Sequence, residues 1–365
     1  MTPILMMFFF TTWFSICPFI YIKGDTECPT ITSFVSDNIN NDRTKGDRTK
    51  GDRRKDNSSL RLVQYNVEWL FIDYYAPMDC PGNGCTWHNM ADAQTHLSYV
   101  VNILNKLQPD IVNFCEVEGC DELNKVKNQL HYNTSYNAYL KNGTDTATGQ
   151  NVGMLTKIDP LVSLYRTEER IGYPIPGTKC GITNVSGTAG VTKHYITEFN
   201  LGGMNVAMIG AHLLAIPTDP SRCVQREAQA QVLQNVVSSY VQKGYEIILI
   251  GDMNDYDAEV LDLNSNKPIS RVLDIMKGLD GDKKGSYTLT NIAYRMPEKD
   301  RFSDWWDSDS NCETNTQSDL SMIDHILVSS KIEGHVVNAY IYHGYSEYCG
   351  KCNSDHWPVV VDFIF

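Results

Sequence analysis

The 365-residue sequence lacks an excess of positive charge, since 31 Lys and Arg face 44 Asp and Glu and give a formal net charge of −13. A module whose main task is to hold a polyanion usually presents a basic face, so this balance argues against simple nucleic-acid binding. It does not exclude an enzyme that acts on phosphate esters. Bound divalent cations can neutralise both an acidic site and the phosphate of a substrate.

A complete zinc motif is also missing. Cys349 and Cys352 form one CxxC, but no second CxxC and no paired-His element completes it. Of the eleven cysteines, Cys17 lies in an apolar N-terminal run, which leaves an even set of ten. An even set in an exported chain indicates disulfides, and the sequence leaves their pairing open. Three pairs lie close in the chain: Cys80 with Cys85, Cys115 with Cys120, and Cys349 with Cys352.

The first 22 residues are almost all apolar, and the first charge comes at Lys23. They carry no Lys or Arg at their start and no clean small-x-small cleavage site. We interpret residues 1–24 as a signal peptide or an uncleaved signal anchor, with cleavage favoured. The protein is therefore expected to be secreted; the alternative is a membrane anchor that holds the domain outside the cytosol.

Residues 41–55 read NDRTK GDRTK GDRRK, a five-residue repeat of alternating charge without an apolar side chain. Such a segment cannot bury enough surface to offset the entropy of ordering it. We therefore predict that residues 25–59 form a disordered charged-repeat linker and that residues 60–365 form one catalytic domain.

From Leu60 onwards, short β-branched or alternating runs are interleaved with helical patterns, which is typical of a single α/β domain. Strands are predicted at Leu60–Val67, Ile111–Phe114, Val152–Thr156, Tyr195–Leu201, Asn205–Ile209, Glu246–Ile250, Ile323–Val328, Val336–Tyr342 and Pro358–Phe365. Helices are predicted at Ala91–Leu107, Glu122–Leu130, Pro220–Val241 and Ser270–Met276.

Polar side chains stand at the ends of these apolar runs. Each alone is also typical of a turn or a solvated loop, but strand ends are where α/β proteins collect ligand groups. The residues concerned are Asn66, Glu116, His212, Asp252, Asn254, Asp324, Asp355 and His356.

Together these motifs resemble the endonuclease/exonuclease/phosphatase superfamily. The resemblance rests on NVEW, CEVE, a strand ending in HLL, GDMND, IDHILVS and SDHWPV, in that order. It covers essentially residues 60–365. The fold that it implies is a four-layer α/β sandwich of two packed mixed β-sheets flanked by helices, with the site at one rim. The activity that it implies is that of a metal-dependent phosphoric ester hydrolase.

The resemblance also implies a role for each residue of the site. The implied catalytic set is His212, Asp252, Asn254, Asp324 and His356. The implied metal ligands are Asn66, Glu116 and Asp355, with Mg²⁺ or Mn²⁺ as the ion because hard oxygens suit it. The implied substrate-binding residues are Asn151 and Lys193, although the lysine could equally be an ordinary surface residue.

Three features depart from the family pattern or find no place in it. Cys115 stands where related deoxyribonucleases often have Gln. Gln150 stands where they carry a carboxylate that orients one histidine, which leaves the protonation of His212 open. The loop from Trp305 to Glu313 is rich in oxygen ligands, so a structural Ca²⁺ is an expectation there, although an EF-hand pattern fails. Its paired tryptophans either stack on a base or pack on the sandwich.

The motif style favours a secreted nuclease that acts on DNA or RNA. NVEWLF at residues 66–71 and Arg226-Glu-Ala-Gln-Ala look most like secreted nucleases. A Cys-Asp-Arg sequence typical of inositol phosphatases is missing, as is an apolar hairpin after Gly24 that a sphingomyelinase would press into a membrane. The alternatives are a phosphatase or sphingomyelinase-like phosphodiesterase of the same fold, or an inactive binding module. The expected partner is nucleic acid as substrate, without a stable protein partner, and a membrane only through an uncleaved anchor.

Overall fold

The computed structural model describes residues 27–28, 58–72, 87, 89–182, 184–307, 309, 311–315, 317–345 and 353–365. The predicted leader and nearly all of the predicted linker lie outside the described residues, as do Cys80, Cys85, Cys349 and Cys352. Their predicted properties stay predictions. Within the described part of the chain, no helix combines the length and the apolar character that crossing a membrane requires.

The described chain contains fifteen strands and five α-helices. The strands are β1 (Ser59–Leu70), β2 (Ile111–Val117), β3 (Asn137–Leu140), β4 (Asn151–Thr156), β5 (Ile171–Tyr173), β6 (Gly187–Ala189), β7 (Lys193–Leu201), β8 (Met204–His212), β9 (Glu246–Asp252), β10 (Leu289–Asn291), β11 (Asp304–Trp305), β12 (Leu320–Ser321), β13 (Asp324–Ser329), β14 (Val336–Ile341) and β15 (Val359–Ile364). The helices are α1 (Met90–Leu107), α2 (Cys120–Gln129), α3 (Pro220–Gln242), α4 (Val272–Met276) and α5 (Ser330–Glu333).

Two large mixed sheets form the centre of the molecule, and the predicted four-layer sandwich is confirmed. One sheet has the order β14-β15-β1-β2-β4-β3 and the other β10-β13-β9-β8-β7. Along β1 the side chains alternate as the period of a strand requires. Leu62 joins the core between the sheets, whereas Val63 packs outwards with Leu97 of α1. On the other side, Leu233 of α3 packs against Ile247 of β9.

Parallel strand pairs bring the ends of distant segments together. β1 and β2 are parallel, and so are β8 and β9, which α3 connects. Helix α3 begins where its sequence signals a start: the Asp219 side chain accepts hydrogen bonds from two backbone N–H groups, and Pro220 occupies the first turn. All predicted strands and helices find a counterpart, and the added strands are short pieces of two to four residues such as β5, β6 and β11.

Disulfides hold two segments onto this framework. Cys180 pairs with Cys223, and Cys28 pairs with Cys120. Although Cys28 lies in the segment predicted as linker, it is buried, and its N–H donates to Leu140 O at 3.2 Å. The chain neighbours Cys115 and Cys120 are not bonded to each other: within the described residues, Cys115 is a buried free thiol.

His194 on β7 is expected to lower the stability of the fold in acid. Its Nδ1 lies 2.7 Å from Val191 O, and its Nε2 accepts the Thr167 N–H at 3.0 Å, so protonation would break the second bond. Burial, together with the charge of Arg166, lowers the pKa of His194 to about 4. The unfolded chain binds this proton near the ordinary value of about 6.5, so stability falls as the pH drops from there towards about 4.

Urea unfolding at several pH values measures this effect. Relative to His194→Gln, the wild-type protein should lose up to roughly 3 kcal/mol of unfolding free energy between these limits. Equal pH profiles for the two proteins would contradict a neutral buried His194.

Candidate active site

The strand pairing places the predicted polar residues at one edge of the two sheets. Asn66, where the regular pairing of β1 with β2 is interrupted, lies beside Cys115 of β2, the residue before the predicted metal ligand. On the facing sheet, His212 lies beside Asp252, and Asp324 lies beside the same Asp252 from the other side. The six-stranded and five-stranded sheets thus both contribute to one cluster of polar side chains.

Asn66 connects the two halves of this cluster. Its Nδ2 lies 3.2 Å from Glu116 Oε1 and 3.0 Å from Asp252 Oδ2. The same nitrogen is 3.4 Å from His356 Nε2, while its Oδ1 accepts the backbone N–H of Glu68 at 3.0 Å. The amide therefore presents its nitrogen to the cluster and its oxygen to the backbone. In this orientation Asn66 donates to the carboxylates of Glu116 and Asp252, and its own oxygen is already bound to the Glu68 N–H. Glu116 is therefore better placed than Asn66 to give an oxygen to a metal ion.

His356 and Asp324 form a buried pair. His356 Nδ1 donates to Asp324 Oδ2 at 2.7 Å. Two further donors hold this carboxylate in place: Ser303 Oγ at 2.8 Å and Gln64 Nε2 at 3.0 Å. Burial would lower the pKa of His356, but the charges of Asp324 and Asp355 outweigh it and raise that pKa well above its ordinary value. A raised pKa favours the imidazolium form, which can donate a proton or neutralise a phosphate.

Asp252 is almost completely buried among like charges. Its Oδ2 lies 3.5 Å from His212 Nε2 and 4.0 Å from His356 Nε2, and its Oδ1 accepts the Asn254 N–H at 2.9 Å. Burial raises the pKa of Asp252 to about 8, and the charge of Asp324 adds to this rise. The ionised form of a carboxyl group with a raised pKa is a stronger base than an ordinary carboxylate and is suited to accept a proton from an attacking water.

His212 has the opposite electrostatic environment. Burial, reinforced by the charges of Lys193 and His356, lowers its pKa well below the ordinary value. Lys193 Nζ lies 3.4 Å from His212 Nε2, and because an ammonium can only donate, Nε2 acts as the acceptor. The proton of the neutral ring then sits on Nδ1, which has no hydrogen-bond partner among the described residues. The direction of the pKa shift and the contact with Lys193 favour a neutral His212, and its catalytic role stays a prediction.

The two predicted substrate-binding residues differ in how their side chains are bound. Lys193 Nζ reaches Gln150 Oε1 at 3.0 Å and Asp145 Oδ2 at 3.9 Å, next to the cluster. Both ends of the Asn151 amide form hydrogen bonds with the backbone. Its Oδ1 accepts one from the Gly143 N–H, and its Nδ2 donates to backbone carbonyls that include Gly149 O. Asn151 therefore shapes the loop that it closes, and its contact with substrate stays a prediction.

The chemistry of the donors fits a divalent cation next to Glu116 and Asp355. Asp355 Oδ1 is buried without a hydrogen-bond partner in the described part of the chain. Burial raises the pKa of Asp355 well above its ordinary value, and the charge of Glu68 contributes. Glu116 Oε1 and Oε2 face Asn66 and the Trp69 N–H. Carboxylate oxygens with unmet charge are what Mg²⁺ and Mn²⁺ bind, and such an ion would supply charge neutralisation for a phosphate.

Asp252, Asp324 and His356 also place three potential ligand atoms within 4.8 Å of one another. This trio is explained without an ion, because His356 Nδ1 already binds Asp324 Oδ2 and Asn66 Nδ2 already binds Asp252 Oδ2. The protein hydrogen bonds therefore favour Glu116 and Asp355 as the ligands.

Asp304 is a member of the cluster that the sequence did not reveal. Its Oδ1 lies 3.5 Å from His356 Nε2, and Ser321 Oγ donates to its Oδ2 at 3.0 Å. Burial raises the pKa of its carboxyl to about 6, although the charge of His356 lowers it. Of the neighbouring tryptophans, Trp305 packs in the core, whereas Trp306 is 69% exposed and its stacking on a base stays a prediction.

The carboxylates of the next loop mostly bind backbone. Asp307 accepts the N–H groups of Asn311 and Cys312, and Asn311 accepts that of Glu313. These bonds account for the loop's acidic composition, and a structural Ca²⁺ there stays a prediction.

Comparison with known proteins identifies this arrangement. A sequence profile of the Endonuclease/Exonuclease/phosphatase family matches residues 63–356, which include every residue of the cluster. No curated protein matches the chain significantly. Among solved structures, a 3′ phosphatase from Neisseria bound to a product DNA hairpin is 15% identical, with a TM-score of 0.52, and the match covers 84% of this chain and 100% of that one.

Two further structures show the same likeness. A family protein from Leptotrichia buccalis C-1013-b is 13% identical with a TM-score of 0.50, over 84% of this chain and 99% of that one. An AP endonuclease from Archaeoglobus fulgidus is 13% identical with a TM-score of 0.49, over 83% of this chain and 99% of that one. At these identities the structures from Neisseria and Leptotrichia show the fold, and the profile match shows the family. The chain belongs to the endonuclease/exonuclease/phosphatase family and is a metal-dependent phosphoric ester hydrolase.

Proposed function

We propose that this protein is a secreted nuclease that hydrolyses phosphodiester bonds of DNA or RNA with Mg²⁺ or Mn²⁺. The observation that carries the proposal is the buried arrangement at the strand ends, in which His356 is held by Asp324 at 2.7 Å and its Nε2 lies 4.0 Å from Asp252 Oδ2. Asp252 takes a proton from the attacking water, and Asn254 holds that water. His356 binds the scissile phosphate, and Lys193 adds a second cationic contact. Glu116 and Asp355 hold the divalent ion.

The choice of nucleic acid is supported by the nuclease-like motifs at residues 66–71 and 226–230. It is also supported by the DNA hairpin bound to the Neisseria 3′ phosphatase of the same fold. The charge of the domain opposes it: residues 1–59 hold eight Lys or Arg and seven Asp or Glu, which leaves −14 for residues 60–365. A polyanion is repelled by such a surface unless cations screen it.

A substrate panel tests the proposal. Supercoiled plasmid, RNA, sphingomyelin and a soluble phosphomonoester are incubated with the protein and millimolar-range Mg²⁺, and matched reactions contain a chelator. We expect nicking of plasmid or RNA only when the divalent ion is present. Because few Lys or Arg are available to release counterions, the affinity should depend only weakly on NaCl concentration. Intact plasmid and RNA beside a cleaved lipid or phosphomonoester would exclude the nuclease and select the alternative activity.

Export is supported by the predicted leader and by the disulfides Cys28–Cys120 and Cys180–Cys223, which persist in oxidising compartments. Expression of the full chain in secretory cells tests this part. N-terminal sequencing of protein from the medium should begin after the predicted leader. Protein that stays attached to the outer face of the cell membrane would indicate an uncleaved anchor instead.

A further inference from the structure

The motif Arg226-Glu-Ala-Gln-Ala lies outside the polar cluster, yet two of its side chains reach the loops that carry it. Arg226 and Gln229 lie on one face of α3, one turn apart, and both are buried. We call these two residues the α3 anchor.

Arg226 binds the loop that follows His212. Its Nη1 donates to the carbonyls of Leu214, Ala215 and Ile216 at 3.2, 3.3 and 2.9 Å, and its Nη2 donates to Pro217 O at 2.8 Å. Four successive carbonyls thus converge on one guanidinium whose side chain has no exposure to solvent. Within this loop Ile216 has φ +69°, a left-handed conformation that a β-branched residue rarely adopts. The bonds to Arg226 hold the loop in this conformation.

The same guanidinium binds the turn that follows Asp252. Arg226 Nε donates to Asp255 Oδ2 at 3.1 Å, and Ser270 Oγ donates to the same oxygen at 2.8 Å. The two loops also touch directly, because Asn254 Nδ2 donates to Leu213 O at 3.3 Å. Arg226 therefore spans the loops that follow the two strand ends carrying His212 and the proposed base Asp252.

Gln229 adds a third segment to the same anchor. Its Oε1 accepts the Leu214 N–H at 3.1 Å, and its Nε2 donates to Gly190 O at 3.2 Å, three residues before Lys193. The loops that lead to Lys193, follow His212 and follow Asp252 are thus all bound to one turn of α3.

We propose that Arg226 is a positioning residue that fixes the separation of His212 from Asp252 and Asn254 and thereby determines kcat. The inference rests on the roles given to these residues in the proposed function. Lysine cannot replace the arginine, since a single ammonium has three donors and lacks the planar fork that reaches Asp255 and the carbonyls together. Misplacement of reacting groups by about 1 Å can cost on the order of a hundredfold in rate.

The test compares Arg226→Lys with Arg271→Lys. Arg271 is a matched control: it is also buried and ion-paired, but its partners are Glu227 and Asp280. With thymidine 5′-(4-nitrophenyl) phosphate and saturating Mg²⁺, Arg226→Lys should lower kcat by about 10- to 100-fold while KM stays unchanged. Arg271→Lys should lower the Tm and leave kcat alone. A wild-type kcat in Arg226→Lys, or an equal loss in both variants, overturns the proposal.

Two further measurements keep the result decisive. If Arg226→Lys does not fold, Asp255→Asn takes its place and should show the same loss of kcat, whereas an unchanged kcat overturns the proposal. If the wild-type protein cleaves no phosphodiester, the proposed function fails separately. In that case hydrogen exchange tests whether Arg226 holds the loop. The N–H group of Leu213 donates to Asp252 O, and that of Leu214 donates to Gln229 Oε1. Both groups should exchange faster in Arg226→Lys than in the wild-type protein, and at the wild-type rate in Arg271→Lys. Equal exchange in the two variants overturns the proposal.

Discussion

Asp252→Asn is expected to lower kcat by at least about a hundredfold, the cost that removal of a positioned proton-transfer group typically carries. Asparagine has the same shape, so the hydrogen bond from the Asn254 N–H to the side-chain oxygen can persist. It cannot accept a proton from water. The protein should still fold, with a modestly lower Tm, because the amide nitrogen that replaces Oδ2 cannot accept the hydrogen bond from Asn66 Nδ2. Steady-state kinetics and thermal unfolding measure the two effects.

Asp362→Asn is the matched control for this variant. Asp362 lies on β15 beside Arg61 of β1, and its Oδ1 accepts a hydrogen bond from Arg61 Nε at 2.7 Å. Arg61 stands five residues before Asn66 in the sequence. Loss of this partly exposed ion pair should change stability slightly and leave kcat at the wild-type value. If Asp252→Asn keeps most of its activity, Asp252 is not the base, and the proton must leave by another route.

Glu116→Gln is expected to raise the concentration of Mg²⁺ that half-maximal activity requires. Even outer-shell partners of a metal carry a cost of roughly ten- to a hundredfold in affinity, and a ligand should carry at least that much. Asp355→Asn should also raise the Mg²⁺ concentration that half-maximal activity requires, because Asp355 Oδ1 is buried without a hydrogen-bond partner among the described residues. Chelation should stop turnover of the wild-type protein, and Mg²⁺ or Mn²⁺ should restore it.

Isothermal calorimetry separates metal binding from activity. Wild-type protein should bind Mg²⁺ or Mn²⁺, and Glu116→Gln should bind the ion more weakly while Asp362→Asn binds it normally. Unchanged affinity in Glu116→Gln together with unchanged activity would contradict the ligand assignment.

The fold could be predicted from the sequence because its signals are local. β1 alternates between Leu62 and Val63, and α3 begins at an Asp-Pro start. Parallel pairing then brings strand ends to one edge, so residues such as His212 and Asp252 become neighbours once the strands are known. The motifs at strand ends therefore predict the cluster from the sequence alone.

What the sequence did not reveal depends on contacts between distant segments. Asp304 reaches the site only through its pairing with Ser321 and its bridge to His356. The burial of Gln64, which holds Asp324, follows from the packing of one sheet on the other. The Cys28–Cys120 disulfide joins residues 92 positions apart, and even sets of cysteines do not specify such a pairing.

The central claim is that the strand-end cluster of Asp252, Asp324 and His356 hydrolyses phosphodiesters with the help of a divalent ion. The most direct measurement is release of 4-nitrophenolate from thymidine 5′-(4-nitrophenyl) phosphate by wild-type protein and His356→Asn while Mg²⁺ is titrated. This substrate removes the choice between DNA and RNA from the experiment. We expect saturable Mg²⁺ dependence for the wild-type protein, loss of turnover in chelator, and turnover of His356→Asn lower by orders of magnitude at every Mg²⁺ concentration. Turnover that persists in chelator, or that His356→Asn retains in full, would contradict this account of the site.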